Sequence, residues 1–118
     1  MDINNITITG NLTADPESFG RMSDGEINSI LGSKLRIASD YRTKVGDEWV
    51  EKTNYVNIVV WGALGKLVRE TQTKGNKVAI TGSLRYNQWE TAEGDKRDTY
   101  EVHASEVLFL SPKKELDF

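Results

Sequence analysis

The sequence contains no cysteine, one histidine and two prolines among its 118 residues. Without cysteine the chain can form neither disulfides nor thiolate metal sites. A single histidine, His103, with no tight carboxylate cluster beside it cannot assemble a zinc site. No apolar run approaches a membrane span, and the N-terminal segment lacks the basic start and apolar core of a secretory signal. These absences predict a cytoplasmic protein without metal or other cofactor and without membrane contact.

The net charge of −3 argues against a polyanionic partner, because neutralising phosphates usually requires an excess of lysine and arginine. The distribution of charge weakens that argument. Acidic residues concentrate in predicted turns and at the chain's end, whereas basic residues recur beside aromatic ones, as Arg42 and Lys44 do after Tyr41 and Arg85 does before Trp89. A groove can therefore be positive on a protein that is negative overall. Solvated strand faces remain the alternative.

Alternation of apolar and polar residues predicts strands over residues 5–12, 33–41, 51–61, 77–84 and 99–110. Residues 19–32 are irregular and predict a loop or a frayed edge strand. Leu64, Leu67 and Val68 have helical spacing, and Lys74-Gly75 ends that short pattern. The apolar positions of the last strand change phase between Ala104 and Val107, which predicts a β-bulge.

Three strands, a short helix and two further strands are typical of an all-β, five-stranded Greek-key OB-fold barrel with the helix between strands 3 and 4. Such barrels bind oligonucleotides, although other small barrels give similar patterns. A chain of this length has room for one domain. We expect that domain to span residues 1–111, followed by a short C-terminal tail, residues 112–118.

Aromatic residues recur where predicted strands end. In the third strand, Val56, Ile58 and Val60 alternate with a second set that includes Tyr55 and Trp61. The first set predicts a core face. Large rings on the other face predict either a surface on which bases stack or simple cover for a barrel or interface.

Three other aromatic residues give different expectations. Alternation alone places Tyr41 on the core side and predicts that it is buried. Trp89 lies in a polar hairpin arm, which favours a free ring over packing beneath the hairpin. Trp49 lies in a turn region, where loop packing is favoured over incidental DNA contact.

Three segments, ITITGNLTADPE, TNYVNIVVWGALGKLV and KGNKVAITGSLRYNQW, occur in this order over roughly residues 3–110. In these segments the chain resembles the bacterial-type single-stranded DNA-binding proteins of the homotetrameric OB-fold class. The resemblance implies sequence-tolerant binding of single-stranded DNA in replication, recombination and repair, no enzymatic activity and a homo-oligomer of four chains. By position it implies base stacking by Tyr41, Tyr55, Trp61 and Trp89, and phosphate contacts by Arg42, Lys44, Lys74, Arg85 and Arg97.

The sequence departs from the family at several of these positions. Asn87, Gln88 and Ala63 stand where basic residues are frequent, which weakens the expected electrostatics. Val56 replaces a histidine found near the subunit interface of well-known members, which puts the details of assembly in doubt.

Family members usually end in an acidic tip whose last residue is phenylalanine and which recruits replication and repair enzymes. Here the sequence ends in Glu-Leu-Asp-Phe. Leu116, Asp117 and Phe118 offer an apolar ring and carboxylates, features that a basic-rimmed hydrophobic pocket binds. The resemblance therefore predicts a partner-binding end, with a frayed terminus as the alternative.

Two other classes of function are open at this point. An OB-fold protein-interaction module, such as a primosome component, would bury the same rings against protein. A small nuclease would need clustered acids with a basic stabiliser of the transition state, and the sequence does not show them. The loose acids Glu90, Glu93 and Asp95 are expected to form a solvated hairpin tip and not a site for a divalent metal.

Overall fold

The computed structural model describes residues 1–111, apart from the side chains at positions 22, 23 and 26–28. It contains six strands and one helix: β1 Ile6–Leu12, β2 Glu17–Ser23, β3 Glu26–Val45, β4 Glu48–Trp61, α1 Gly62–Thr71, β5 Lys77–Glu90 and β6 Lys96–Phe109. Leu116, Asp117 and Phe118 lie outside the described residues, so a partner-binding end stays a prediction.

Five of the strands close into a barrel. The sheet order is β1-β5-β6-β4-β3-β2, and a further pairing of β1 with β3 closes the cylinder. All pairings are antiparallel except that of β4 with β6, which runs from Ile58↔Val102 to Val60↔Ala104. The predicted five-stranded OB-fold barrel is therefore confirmed, and its helix lies between the third and fourth barrel strands, β4 and β5.

The additional strand, β2, lies outside the barrel and pairs with β3 alone. It occupies the stretch predicted as a loop or a frayed edge strand, and the edge strand is what the structure shows. Its register with β3 shifts twice, once after Phe19 and once after Arg21. An edge strand with such irregularities has no continuous buried face, and for that reason its sequence does not alternate.

The core lies inside the barrel and is built from the alternating apolar positions. Its fully buried members are mostly β-branched, and they come from every barrel strand except β1 together with the helix: Ile37, Ile58, Val60, Val68, Val78, Ile80 and Val102. Val56 packs against this cluster at its margin. The predicted core face of residues 56, 58 and 60 is thus confirmed.

The predicted bulge is present in β6. Thr81 pairs with Glu106 and the next residue, Gly82, pairs with Ala104, so Ser105 is the extra residue. A Cβ at Gly82 would lie 2.1 Å from the backbone oxygen of His103. The bulge therefore needs glycine on the opposing strand.

The helix is fixed to β3 by side chains at one end of the barrel. Val68 is fully buried, whereas Leu67 of the predicted apolar pattern is exposed. Ser33 Oγ donates to the Gly65 carbonyl at 2.7 Å, and the Arg69 guanidinium donates to Ser33 Oγ at 2.7 Å. These bonds satisfy the buried Ser33 hydroxyl. No helix in the described part of the chain is long and apolar enough to cross a membrane.

Two pairs of strands continue beyond the core as ribbons. The β3–β4 pairing runs on to Val45↔Glu48, and the β5–β6 pairing to Glu90↔Lys96. Most residues in these extensions are exposed. They position side chains outward from the barrel without burying them.

Candidate nucleic-acid interface

Strand register places most of the predicted site residues on one face. Neighbouring residues point to opposite sides of a strand. The residues that alternate with the core positions on β3, β4, β6 and β5 therefore form a second face of the sheet, which we call the outer face. Its register pairs include Arg36↔Asn57, Ala38↔Tyr55, Val59↔His103, Arg85↔Glu101 and Trp89↔Arg97. Tyr55, Trp61, Trp89, Arg85 and Arg97, which are far apart in sequence, therefore share this outer face.

Tyr55 stands on the outer face with 60% of its surface exposed. The Arg36 guanidinium lies over its ring, 4.8 Å from the centroid. A cation over an aromatic face is attracted to the ring's negative quadrupole. The pair places a positive charge against one face of an exposed ring, a combination that suits a base and its phosphate.

Trp61 contacts two neighbouring side chains and is still half exposed. The Phe19 ring meets it edge-to-face at a centroid distance of 4.9 Å, and its indole Nε1–H donates to His103 Nδ1 at 3.0 Å. The side chain is still 49% exposed. A ring fixed in this way loses little conformational entropy when a ligand stacks on it.

Trp89 lines an open groove of about 390 Å³ on the outer face. The groove is also lined by the base Lys34, the amides Asn57 and Asn87 and the carboxylate Glu101, with the buried Val59 beneath. The ring is 46% exposed. The prediction that Trp89 is not packed under its hairpin is borne out by this exposure.

Tyr41 is 44% exposed, so the prediction of burial from alternation was wrong. The alternation itself holds, because Tyr41 points to the same side as Leu35 and Ile37. By residue 41, however, β3 has passed the core and forms a ribbon with β4, where Tyr41 pairs with Lys52. Tyr41 thus lies on the opposite face of that ribbon from Tyr55.

Trp49 is also exposed, over 67% of its surface, where loop packing was favoured. It pairs with Lys44 near the ribbon tip, on the outer face. A turn of two residues, Gly46 and Asp47, leaves no loop long enough to pack against the ring.

The predicted phosphate-binding residues lie in three places. Arg42 and Lys44 are on the β3–β4 ribbon, where Arg42 Nε lies 3.7 Å from Glu51 Oε1 in an exposed ion pair. Such a pair contributes little stability, so its arginine is available to another anion. Arg85 and Arg97 are on the β5–β6 ribbon. Lys74 is apart from these four, in the turn before β5, where its backbone N–H donates to Asp15 Oδ1 at 2.8 Å.

The reverse face of the β5–β6 ribbon carries a second aromatic pair. The Tyr86 and Tyr100 rings lie 5.3 Å apart between centroids with their planes tilted by 55°, and the Tyr86 hydroxyl donates to Asp98 Oδ2 at 2.9 Å. That hydrogen bond to a carboxylate raises the pKa of Tyr86. Tyr100, with 62% of its surface exposed, provides an aromatic side chain outside the outer face.

Comparison with protein families gives a match over nearly the whole chain. The model of the single-strand binding protein family matches residues 3–110. The chain belongs to that family.

Among curated family members, a single-stranded DNA-binding protein of Treponema pallidum is 35% identical over 109 residues, which are 92% of this chain and 58% of that protein. Single-stranded DNA-binding protein 1 of Xylella fastidiosa is 31% identical over 113 residues, 96% of this chain and 81% of that protein. The chain therefore spans little more than half the length of the first of these family members.

The fold has a close structural counterpart. A Plasmodium falciparum single-strand binding protein, solved in complex with single-stranded DNA, superposes with a TM-score of 0.78 over 94% of this chain and 97% of that one. Sequence identity is 21%, so this likeness bears on the fold alone.

Four residues of this family member's outer face were missed from the sequence as site residues: Phe19, Lys34, Arg36 and His103. Phe19 belonged to the irregular stretch, and His103 was considered only as a metal ligand. Phe19 and His103 contact Trp61, Lys34 lines the groove of Trp89, and Arg36 lies over Tyr55. Each of these contacts joins two different strands. Lys34 and Arg36 did carry a signal, since both alternate with the buried Leu35 and Ile37.

Proposed function

We propose that the chain binds single-stranded DNA without sequence preference, in the cytoplasm, and protects it during replication, recombination and repair. The observation that supports this most is the outer face itself, where Tyr55, Trp61 and Trp89 stand exposed among arginine and lysine side chains. Aromatic stacking contributes about 1–3 kcal/mol per base, and it tolerates any sequence because every base has a flat face.

Preference for single strands follows from the same geometry. In a duplex each base is already stacked between its neighbours and has no free face for Tyr55, Trp61 or Trp89. Binding a duplex through these rings would first require melting it. The basic residues contact the backbone of either form, so discrimination resides in the rings and salt dependence in Arg42, Lys44, Lys74, Arg85 and Arg97. Binding is followed by no chemical step in this proposal.

Intrinsic tryptophan fluorescence tests the proposal directly. We expect oligo-dT to quench it strongly, because stacking changes the surroundings of Trp61 and Trp89, and we expect a matched duplex to leave it nearly unchanged. The titration is repeated at rising salt. Equal responses to both ligands, or none to either, would contradict stacking and favour the protein-interaction module.

We also propose that the chain assembles with copies of itself, as a tetramer. In the described residues, β1 pairs with β5 along its length but with β3 only at Asn11 and Leu12, so residues 6–10 keep one open edge. Two strands away in the sheet, Leu108 near the end of β6 and Leu110 just after it are about half exposed. An open strand edge and exposed leucines favour association.

Sedimentation of the purified chain is the measurement for assembly. We expect a mass close to four times the 13.3 kDa of one chain. A single-chain mass throughout the micromolar range would contradict the tetramer. If that monomer still bound DNA, the tetramer would be wrong while the DNA-binding role of the outer face would stand.

A further inference from the structure

His103 links Trp61 to a carboxylate through two hydrogen bonds. Trp61 Nε1–H donates to His103 Nδ1 at 3.0 Å, and His103 Nε2 lies 3.1 Å from Glu101 Oε1. Glu101 and His103 are two residues apart on β6 and point to the same side of the strand. The three side chains form one hydrogen-bonded chain on the outer face.

The chemistry of the groups fixes the direction of both bonds. An indole nitrogen is a donor only, so His103 must present a lone pair on Nδ1. A neutral histidine then carries its proton on Nε2, where the Glu101 carboxylate accepts it. The carboxylate therefore selects the tautomer that can receive the Trp61 bond.

Burial makes this link firmer than a surface contact. The side chains of His103 and Glu101 are only 17% and 16% exposed, whereas Trp61 is about half exposed. Phe19 meets the same indole edge-to-face. Together Phe19 and His103 restrict rotation of the ring and leave part of it open to a ligand.

We propose that His103, oriented by Glu101, is a positioning residue for Trp61, and that its protonation weakens binding of single-stranded DNA. This inference rests on the proposed stacking role of Trp61. A protonated histidine has hydrogen on both nitrogens, so Nδ1 no longer accepts from the indole. The ion pair with Glu101 survives protonation and the bond to Trp61 does not.

Histidine is the side chain whose ordinary charge change lies nearest neutral pH, so the effect can be tested by lowering the pH. The charged groups around His103 are Glu101 on its own strand, Arg85, which pairs with Glu101 from β5, and Lys34, which lines the groove with Glu101. On β4 its neighbours Val59 and Trp61 are uncharged. Added positive charge alone would strengthen phosphate binding and steepen its salt dependence, which is the opposite direction from the proposed effect.

The first measurement uses the free protein and needs no DNA. We expect the indole N–H resonance of Trp61 to move when the pH is lowered, because a protonated His103 no longer accepts from the indole. In His103→Asn, whose amide oxygen can take the place of Nδ1 as an acceptor without titrating, the resonance should stay constant. A Trp61 resonance that is independent of pH in the parent protein would overturn the inference, whatever the DNA does.

The second measurement is affinity for oligo-dT at fixed salt. His103→Leu, which removes the acceptor, should weaken binding about two- to tenfold at pH 8, the range expected for one hydrogen bond. His103→Asn should bind like the parent at pH 8 and better than the parent at pH 5.5. Trp61→Phe keeps a ring but loses the donor, so in that background His103→Leu should have no further effect.

The outcomes separate this inference from the stacking proposal. If Trp61→Ala weakens binding but His103→Leu and His103→Asn bind alike at both pH values, stacking stands and the positioning role of His103 is wrong. If Trp61→Ala binds like the parent, the stacking role of Trp61 itself is wrong, and the coupling of DNA binding to His103 falls with it. Circular dichroism of each variant verifies that the barrel is folded.

Discussion

Replacing both Trp61 and Trp89 with alanine is expected to weaken oligo-dT binding by about 2–6 kcal/mol. Each ring is roughly half exposed on the outer face, and stacking of one base contributes about 1–3 kcal/mol. The two rings contact different neighbours, so their contributions should nearly add. Equilibrium titration at several salt concentrations measures the loss. The slope of affinity against salt should stay unchanged, because neither substitution removes a charge.

Two control variants make that result specific. Tyr100→Ala removes an exposed ring from the reverse face of the β5–β6 ribbon and should leave affinity unchanged. Arg97→Ala, opposite Trp89 on the outer face, should reduce the salt slope by about 0.7 and weaken all sequences alike. If the double tryptophan variant binds oligo-dT like the parent protein, Trp61 and Trp89 do not belong to the binding site.

Gly82→Ala is expected to lower the free energy of unfolding by about 3 kcal/mol, at the upper end of the cost of overpacking. A Cβ there would meet the His103 carbonyl oxygen at 2.1 Å and the Ala104 Cα at 2.9 Å. Both are backbone atoms of the bulge, so no side-chain rotation relieves the contact. Urea unfolding at one fixed protein concentration measures the change.

Gly94→Ala is the matched comparison for that substitution. Gly94 lies at the β5–β6 hairpin tip with φ 87°, and the nearest atom to an added Cβ is a flexible Glu90 oxygen at 3.9 Å. Only backbone strain of about 1–2 kcal/mol is expected there. If Gly82→Ala costs no more than Gly94→Ala, the close approach of β5 to β6 at the bulge is not what requires glycine.

The sequence predicted those parts of the fold in which buried and exposed residues alternate along a strand. Alternation located the five barrel strands, and the phase change before Val107 located the bulge, since a buried face must recur every second residue. At β2 the sequence left a loop and a frayed edge strand as alternatives, because an edge strand with two register shifts buries no continuous face. The first part of β3, which pairs with β2, lay in the same irregular stretch and was not predicted as the beginning of the next strand.

The candidate site was predictable by residue type and less so by arrangement. Tyr55, Trp61 and Trp89 could be selected because large rings stood at polar strand positions. The exposure of Tyr41 depended on where the core ends along β3, and alternation does not show where a core ends. The Arg36–Tyr55 and His103–Trp61 contacts depend on register between strands distant in sequence, and a single sequence carries no direct signal of that register.

The barrel is closed by two short seams, Asn11↔Ala38 with Leu12↔Ile37 on one side and the three parallel pairs that start at Ile58↔Val102 on the other. The second seam joins positions separated by more than a third of the chain. Loop-closure entropy must be spent before such distant pairs form, so barrel closure should be the late and slow event in folding, on the millisecond-to-second scale of β-rich domains. Before closure, the β3–β4 and β5–β6 hairpins can already be paired locally. Their tryptophans would then be exposed before the barrel has formed.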